Sequence, residues 1–275
     1  MRRGRLILGL IIAAISLLSY YGVRQQNPIT GQTQHITLTK EQEIAIGLAS
    51  APEMAEEFGG LDPDPSIQAD VAGVGKQIVA QSIAGRTEYQ FSFHVLKDPE
   101  TVNAFALPGG PVFITRGLLQ RLENEAQLAG ILGHEIGHVV ARHSAAQIAK
   151  SRLAQGLVVA VGAAGSDDGS GGQRAAQVAA VVAQMVQLKY GRSDEIQADT
   201  LGVRLMSEAG YDPRSLIDVM RILEKAGGSG RAPEFMSSHP DPGNRRAIIE
   251  AAITSRFPDG VPENLTLGRQ IKPPS

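Results

Sequence analysis

The chain has no cysteine in its 275 residues, so no disulfide holds it together; this is compatible with an oxidising compartment without proving one. Tryptophan is absent too, and the 7 Phe and 5 Tyr are too few to fill a core, which must rely on Leu, Ile, Val and Ala. No internal repeat divides the chain. It also lacks a basic excess. Without Arg2, Arg3 and Arg5 it carries 23 basic against 28 acidic residues, a balance of −5, which argues against a nucleic-acid binder. Its apolar content, 43%, is that of an ordinary globular protein, and about 250 residues beyond the N-terminal segment suffice for one sizeable core or two tight lobes.

The N-terminus reads as a targeting segment, residues 1–23. Three arginines precede an uncharged run from Leu6 to Leu18, 13 residues that suit a signal peptide. Counted to Val23 the run reaches 18, enough for a short membrane span. No small-x-small cleavage site follows, so the reading favours an uncleaved anchor over a cleaved signal. Either way the arginines stay in the cytoplasm and the remainder faces outward.

Residues 24–39 read as a polar tether, 40–256 as the main domain and 257–275 as a proline-containing extended tail. Lys40 to Phe58 and Ser66 to Ala84 are expected helices, divided by the turn-forming Gly59–Pro65. Gln90 to Val95 alternates polar and apolar, as a strand does, and Val102–Ala106 and Pro111–Thr115 read as two further strands joined by the Pro108-Gly109-Gly110 turn. Residues 153–188 form an Ala/Val-rich insert, read as a helical hairpin too short in each arm to span a bilayer. It serves as core packing or as a lid or membrane-touching element.

The most informative stretch is His134-Glu135-Ile136-Gly137-His138. On a helix, residues four apart share a face, so both imidazoles reach one Zn²⁺ ion while Glu135 flanks them as general base for a water on the metal. Asn124 and Gln127 form an expected N-cap pair, and Leu128, Leu132 and Val139 supply a helical apolar stripe. The motif therefore lies inside a helix, where its spacing has meaning.

Gly130, Gly133 and Gly137 lie as a strip beside the histidine face, although each costs roughly 1 kcal/mol relative to Ala in a helix interior. Such a strip admits another backbone. The expected partner is the helix through Glu195-Ile196-Gln197-Ala198-Asp199, whose two acids share a face bordered by Ala198 and Gly202. A close crossing would bring Glu195 to the metal as third protein ligand, leaving one position open. Asp199 then accepts the second ring N–H of a ligand histidine and fixes its tautomer. His94 and His35 sit in polar surroundings, and His143, five residues past His138, is expected off the metal face, packing or capping locally.

The set formed by these two motifs with Asn103-Ala104-Phe105-Ala106-Leu107-Pro108-Gly109-Gly110, Ala209-Gly210-Tyr211-Asp212-Pro213 and Ser238-His239-Pro240 resembles the HtpX/LoiP/BepA-type zinc endopeptidases, peptidase family M48. The resemblance spans roughly residues 40 to 250. It implies a gluzincin-type metalloendopeptidase with Glu195 as third ligand and a role in envelope-protein quality control. It also implies that the strand carrying Asn103, Ala104 and Phe105 is an edge that pairs with substrate backbone, and an edge accepts any sequence. By the same likeness His239, on a Pro/Ser-rich loop, donates to the oxyanion or swings onto the open zinc position as a block, and Arg245 supports the same site, counted with Asn103, Ala104 and Phe105 among the substrate-binding residues. Lacking a cysteine to lipidate, further spans and a repeat domain, the chain resembles a minimal, singly anchored or secreted member.

The expected fold is a mainly helical α+β, zincin-like domain with a small sheet beside the active-site helix. The expected function is zinc-dependent endoproteolysis of extended or misfolded envelope proteins. Two rivals remain: a membrane-tethered, chaperone-like protein holding clients on its edge strand with little turnover, and an oligopeptidase with a closed cleft.

Overall fold

A computed structural model describes residues 2–165, 190–227, 233–240 and 243–271. Its first helix, α1 (Arg2–Tyr21), stands largely bare: the 18-residue window Gly4–Tyr21 has a mean hydropathy of 1.7 and is 6% buried. Two short strands, β1 (Gln25–Gln26) and β2 (Thr33–Gln34), pair antiparallel. The expected tether is thus a docked hairpin. Its amides reach the end of the metal helix, Asn27 Nδ2 donating to Val140 O at 2.9 Å and Gln34 Nε2 to Ala141 O at 2.6 Å. The last carbonyls of a helix have no partner within it, and these two are met from residues more than 100 positions upstream.

Helices α2 (Lys40–Glu57) and α3 (Pro65–Gln81) follow. α2 starts at a full capping box, Thr39 with Gln42, and α3 at Asp64 followed by a first-turn proline. Three strands come next: β3 (Ser92–Leu96), β4 (Ala104–Ala106) and β5 (Pro111–Thr115). In the sheet order β3-β5-β4, β5 is parallel to β3 and antiparallel to β4. β5 is buried throughout, whereas β4 is an edge with one ladder partner, as expected for the strand after Asn103. The Pro108-Gly109-Gly110 turn needs its glycines: Gly109 sits at φ +80, where an added Cβ would meet Ile44 Cα at 2.3 Å.

After the short α4 (Arg116–Leu119) comes the metal helix α5 (Glu125–Val140). Asn124 caps it, Oδ1 accepting Gln127 N at 3.0 Å. Gln127 does not complete the box, since its Oε1 accepts from Glu123 N at 2.8 Å. Residues 258–271 run through two turns and lie as a strap over the start of α5, where Leu267 O and Arg269 O accept the Ala126 and Glu125 amides at 2.9 Å each. Those N–H groups precede the first helical acceptor, so the strap satisfies what α5 leaves open.

α5 gives way to a turn at Ala141 and Arg142, and the φ of +60 at Arg142 is unusual for a residue with a side chain. The kink starts α6 (His143–Gly165) in a new direction. Arg142 is held there by burial against Glu43 Oε1, at 2.8 Å from Nε, and by Leu38 O at 2.8 Å from Nη2. α6 is the first arm of the expected hairpin and packs along α1, with Gly156 facing Ser16 closely enough to exclude a Cβ. The second arm lies outside the described residues. α7 (Arg192–Glu208), α8 (Ser215–Gly227), α9 (Glu234–Ser238) and α10 (Arg245–Arg256) complete the fold. One core runs from α3 and the inner sheet face through α5 to α7, α8 and α10, filled by Leu, Ile, Val and Ala with a few rings. The architecture is mainly helical α+β, with a small sheet beside the metal helix.

Candidate metal centre

α5 and α7 cross at small residues. A Cβ on Gly133 would stand 3.2 Å from Gly202 O, and one on Gly137 3.1 Å from Ala198 O. Gly130 faces Leu216 on α8 instead. No side chain separates the two backbones there, so the faces carrying His134, His138, Glu195 and Asp199 meet directly. All four are at most 1% exposed.

Nε2 of His134 and Nε2 of His138 are 3.0 Å apart. Glu195 Oε2 lies 3.5 Å from His134 Nε2, and its Oε1 3.5 Å from His138 Nε2. His239 adds Nδ1, 3.3 Å from His134 Nε2 and 3.2 Å from Glu195 Oε1. Ligand atoms around a tetrahedral Zn²⁺ at ~2.0–2.1 Å stand about 3.4 Å from one another, so these four fit such an ion. Lone pairs turned on a common centre repel unless a cation lies between them. The buried group His134, His138, Glu195 and His239 can therefore hold one metal ion.

Glu135 strengthens the fit. Both its carboxylate oxygens are buried without a hydrogen-bond partner, as is Glu195 Oε2. An orphaned buried carboxylate is costly in a site with no further role. Burial pushes Glu135 above the usual carboxylate range, against the pull of His239 and His134. Burial would also raise Glu195, but His239 and His134 outweigh it and bring that carboxyl down. His138 is driven well below the ordinary imidazole value by burial, with the neighbouring histidines adding to the effect, which leaves it neutral with a lone pair to give.

Each ligand imidazole is steadied from behind. Asp199 Oδ1 accepts from His134 Nδ1 at 2.8 Å. Arg245 grips that carboxylate, donating from Nε to Oδ2 at 2.7 Å and from Nη2 to Oδ1 at 2.8 Å, and lies 3.4 Å from Glu195 Oε2. The guanidinium, 6% exposed, is committed to these two acids, so it supports the site from within and does not face a bound chain. On the other side His138 Nδ1 meets His143 Nδ1 at 2.8 Å, and His143 Nε2 donates to Gln197 Oε1 at 2.9 Å. Tyr190 stacks on His138 with ring centroids 3.9 Å apart and anchors its hydroxyl on Ser144 Oγ at 2.9 Å.

His143 and Tyr190 escaped the sequence reading. Counting helical angles from His138 puts His143 off the metal face, but the count fails because α5 ends at Val140. No glycine or proline marks that stop. Ala104 and Phe105 lie on the edge strand β4 and Asn103 just before it; Asn103 and Ala104 are buried and Phe105 is half-buried, and Asn103 and Phe105 border a common cleft with His239 and Tyr190. His94 stacks on Phe113 and bonds Ser92 Oγ, and His35 stacks on Tyr20; both lie away from the cluster.

The sequence model described as peptidase family M48 matches residues 65–253. The chain is 32% identical over 253 residues to the mitochondrial metalloendopeptidase OMA1 of Schizosaccharomyces pombe, covering 90% of this chain and 72% of that one. It is 29% identical over 273 residues to the mitochondrial metalloendopeptidase OMA1 of Bos taurus, covering 90% and 50%. To the beta-barrel assembly-enhancing protease of Escherichia coli the identity is 28% over 229 residues, covering 80% and 45%. The chain thus spans about half the length of these last two relatives.

Proposed function

This chain belongs to peptidase family M48 and is a metalloendopeptidase, and we propose that it uses one Zn²⁺ to cleave extended or misfolded proteins of the cell envelope. The observation that carries the reading is Glu135, a buried carboxylate with both oxygens free, beside four donor atoms on one centre. A purely structural metal site needs no such group.

His134, His138 and Glu195 would hold the ion. When bound, Zn²⁺ supplies a Lewis acid that makes water more acidic and polarises a peptide carbonyl. The chain's own residues do the rest. Glu135 takes the proton of the attacking water and returns it to the leaving amine, a role suited to a carboxyl raised by burial. Asp199, locked by Arg245, keeps the proton of His134 on Nδ1, so that Nε2 presents its lone pair. His143 does the same for His138. The free edge of β4, entered through Asn103, Ala104 and Phe105, would pair with the substrate backbone and so select for extended chain over folded surface.

His239 stands in the fourth corner, the place catalysis needs open. Its Nε2 is 3.6 Å from Glu135 Oε1. We read this as a resting state in which His239 caps the site and must leave before water can enter. Once displaced it would remain close enough to donate to the oxyanion. A resting cap also accommodates a chaperone-like mode, with clients held on the edge strand and little cutting.

Residues 40–256 are proposed as the catalytic unit and residues 1–23 as an uncleaved anchor. Two features support envelope placement: the bare apolar helix α1, and its packing along α6, which begins at His143 beside the centre. An anchored α1 would thereby hold the cleft close to a membrane.

The test is metal analysis joined to proteolysis. Purified protein should hold about one zinc per chain, cleave unfolded casein at internal bonds, lose this with a chelator and regain it with added zinc. Zinc-loaded protein that binds unfolded casein without cutting it would favour the chaperone reading, and cleavage restricted to short peptides would favour the oligopeptidase.

A further inference from the structure

Beside the metal centre, between the end of α2, the edge strand β4 and the short helix α9, lies a cavity of about 280 Å³ that reaches His239. Pockets for drug-sized ligands run ~300–1,000 Å³, so this one suits a single side chain. Its apolar wall is Met54, Phe58 and Phe105, the two rings 5.4 Å apart. Its charged lining comes from three separate places in the chain: Glu57 ends α2, Asp98 follows β3, and Glu234, already engaged by another group, begins α9. Among the described residues no lysine or arginine lines it.

Three acids alone would be an ordinary solvated rim. A second observation singles this cavity out. Asn103 lines it, is 5% exposed, and its Oδ1 has no hydrogen-bond partner. A buried acceptor left unmet is costly and asks for a donor from whatever fills the space. The walls thus combine an apolar bed, an acceptor lacking its donor and carboxylates around them. Asp98 is also fixed in place, its Oδ1 accepting the Glu100 and Thr101 amides at 2.8 and 3.0 Å. Burial would raise its carboxyl, but the Thr101 side chain and those two amides outweigh burial and keep it below the usual range, so it is charged at neutral pH.

Resting on the endopeptidase reading above, we propose that this cavity is a specificity subsite for a lysine or arginine side chain of the substrate. A long basic side chain matches the cavity in order: its aliphatic stem lies on Met54, Phe58 and Phe105, and its cationic head reaches Glu57 and Asp98. Its N–H groups supply the donor that Asn103 Oδ1 lacks. A chain paired with β4 has side chains on alternate sides, and one of them points toward this space next to the metal. Cleavage therefore falls within one or two residues of a basic position. An acidic side chain there is rejected by like charge.

The experiment profiles cleavage of a peptide library by the zinc-loaded protein and compares Glu57→Lys with wild type. Wild type should favour Lys or Arg at one position near the cut over norleucine by about five- to tenfold, and Glu57→Lys should remove that preference, read as the ratio between the two peptides. Cleavage with no basic preference overturns the subsite and leaves the peptidase reading standing. Binding gives an arm independent of turnover: Glu135→Gln, loaded with zinc, is titrated with fluorescent peptides that differ only in Arg, norleucine or Glu at that position. Tighter Arg binding that weakens with salt supports the subsite, and equal affinities overturn it. If no peptide is cut by wild type although zinc is bound, the peptidase reading fails, and the binding arm still decides the subsite.

Discussion

His143 Nδ1 lies 2.8 Å from His138 Nδ1, across the kink where one helix stops and the next begins. Since Gln197 Oε1 takes the Nε2 proton of His143, His143 Nδ1 is left as the acceptor and His138 Nδ1 as the donor. His138 then turns its Nε2 lone pair toward the centre. Removing a hydrogen-bond partner of this kind costs 10- to 100-fold in metal affinity elsewhere. His143→Ala should weaken zinc binding by a factor in that range, measured by competition with a chelating dye, while the fold is kept. Unchanged affinity would reduce His143 to packing.

Asp199 contributes to stability against acid. Burial would raise its carboxyl, but Arg245 and His134 outweigh that and lower it from 3.8 to about 2. A carboxyl depressed in the folded state stabilises the fold above its unfolded value, and the contribution is lost as pH falls from about 4 to 2. The size is about 2 kcal/mol. Metal-free wild type should lose melting temperature across that window, and Asp199→Asn, already weaker at neutral pH, should lose less. Parallel curves would contradict this.

In the proposed resting state His239 caps the fourth corner of the site. His239→Ala should keep its zinc, held by the other three ligands, and cut unfolded casein faster than wild type. Slower turnover with zinc retained would make oxyanion donation its governing role.

The crossing of α5 and α7 depends on Gly133, where a Cβ would already stand 3.2 Å from Gly202 O. Gly133→Leu should push the helices apart, destabilise by about 1–3 kcal/mol and release zinc, since Glu195 moves off with α7. Thermal unfolding and metal content check it. A Leu variant as stable and as zinc-rich as wild type would show the close approach to be unnecessary.

Local signals made much of this legible in sequence. The four-residue spacing of His134 and His138 carries its meaning on any helix, and the strip Gly133–Gly137 indicated where a second helix would come close. The Asn124 cap, the Pro108-Gly109-Gly110 turn and the alternating strand at β3 are likewise written within a few residues. What stayed hidden depends on contacts across the chain. His143 joins the site only because Arg142 adopts a left-handed conformation, held by Glu43 about 100 residues upstream. The segment around Asn27 and Gln34 looked like a tether because its amides have no local partner; their acceptors are carbonyls at the far end of α5. The tail from Pro258 looked loose for the same reason.

In the proposed mechanism Glu135 moves the proton for a metal held by His134, His138 and Glu195. Glu135→Gln keeps the side chain's size and removes its basicity, so zinc content and cleavage of unfolded casein, measured side by side with wild type, test it most directly. Equal zinc with cleavage lost at least a hundredfold is the predicted result. Equal zinc with equal cleavage would contradict it.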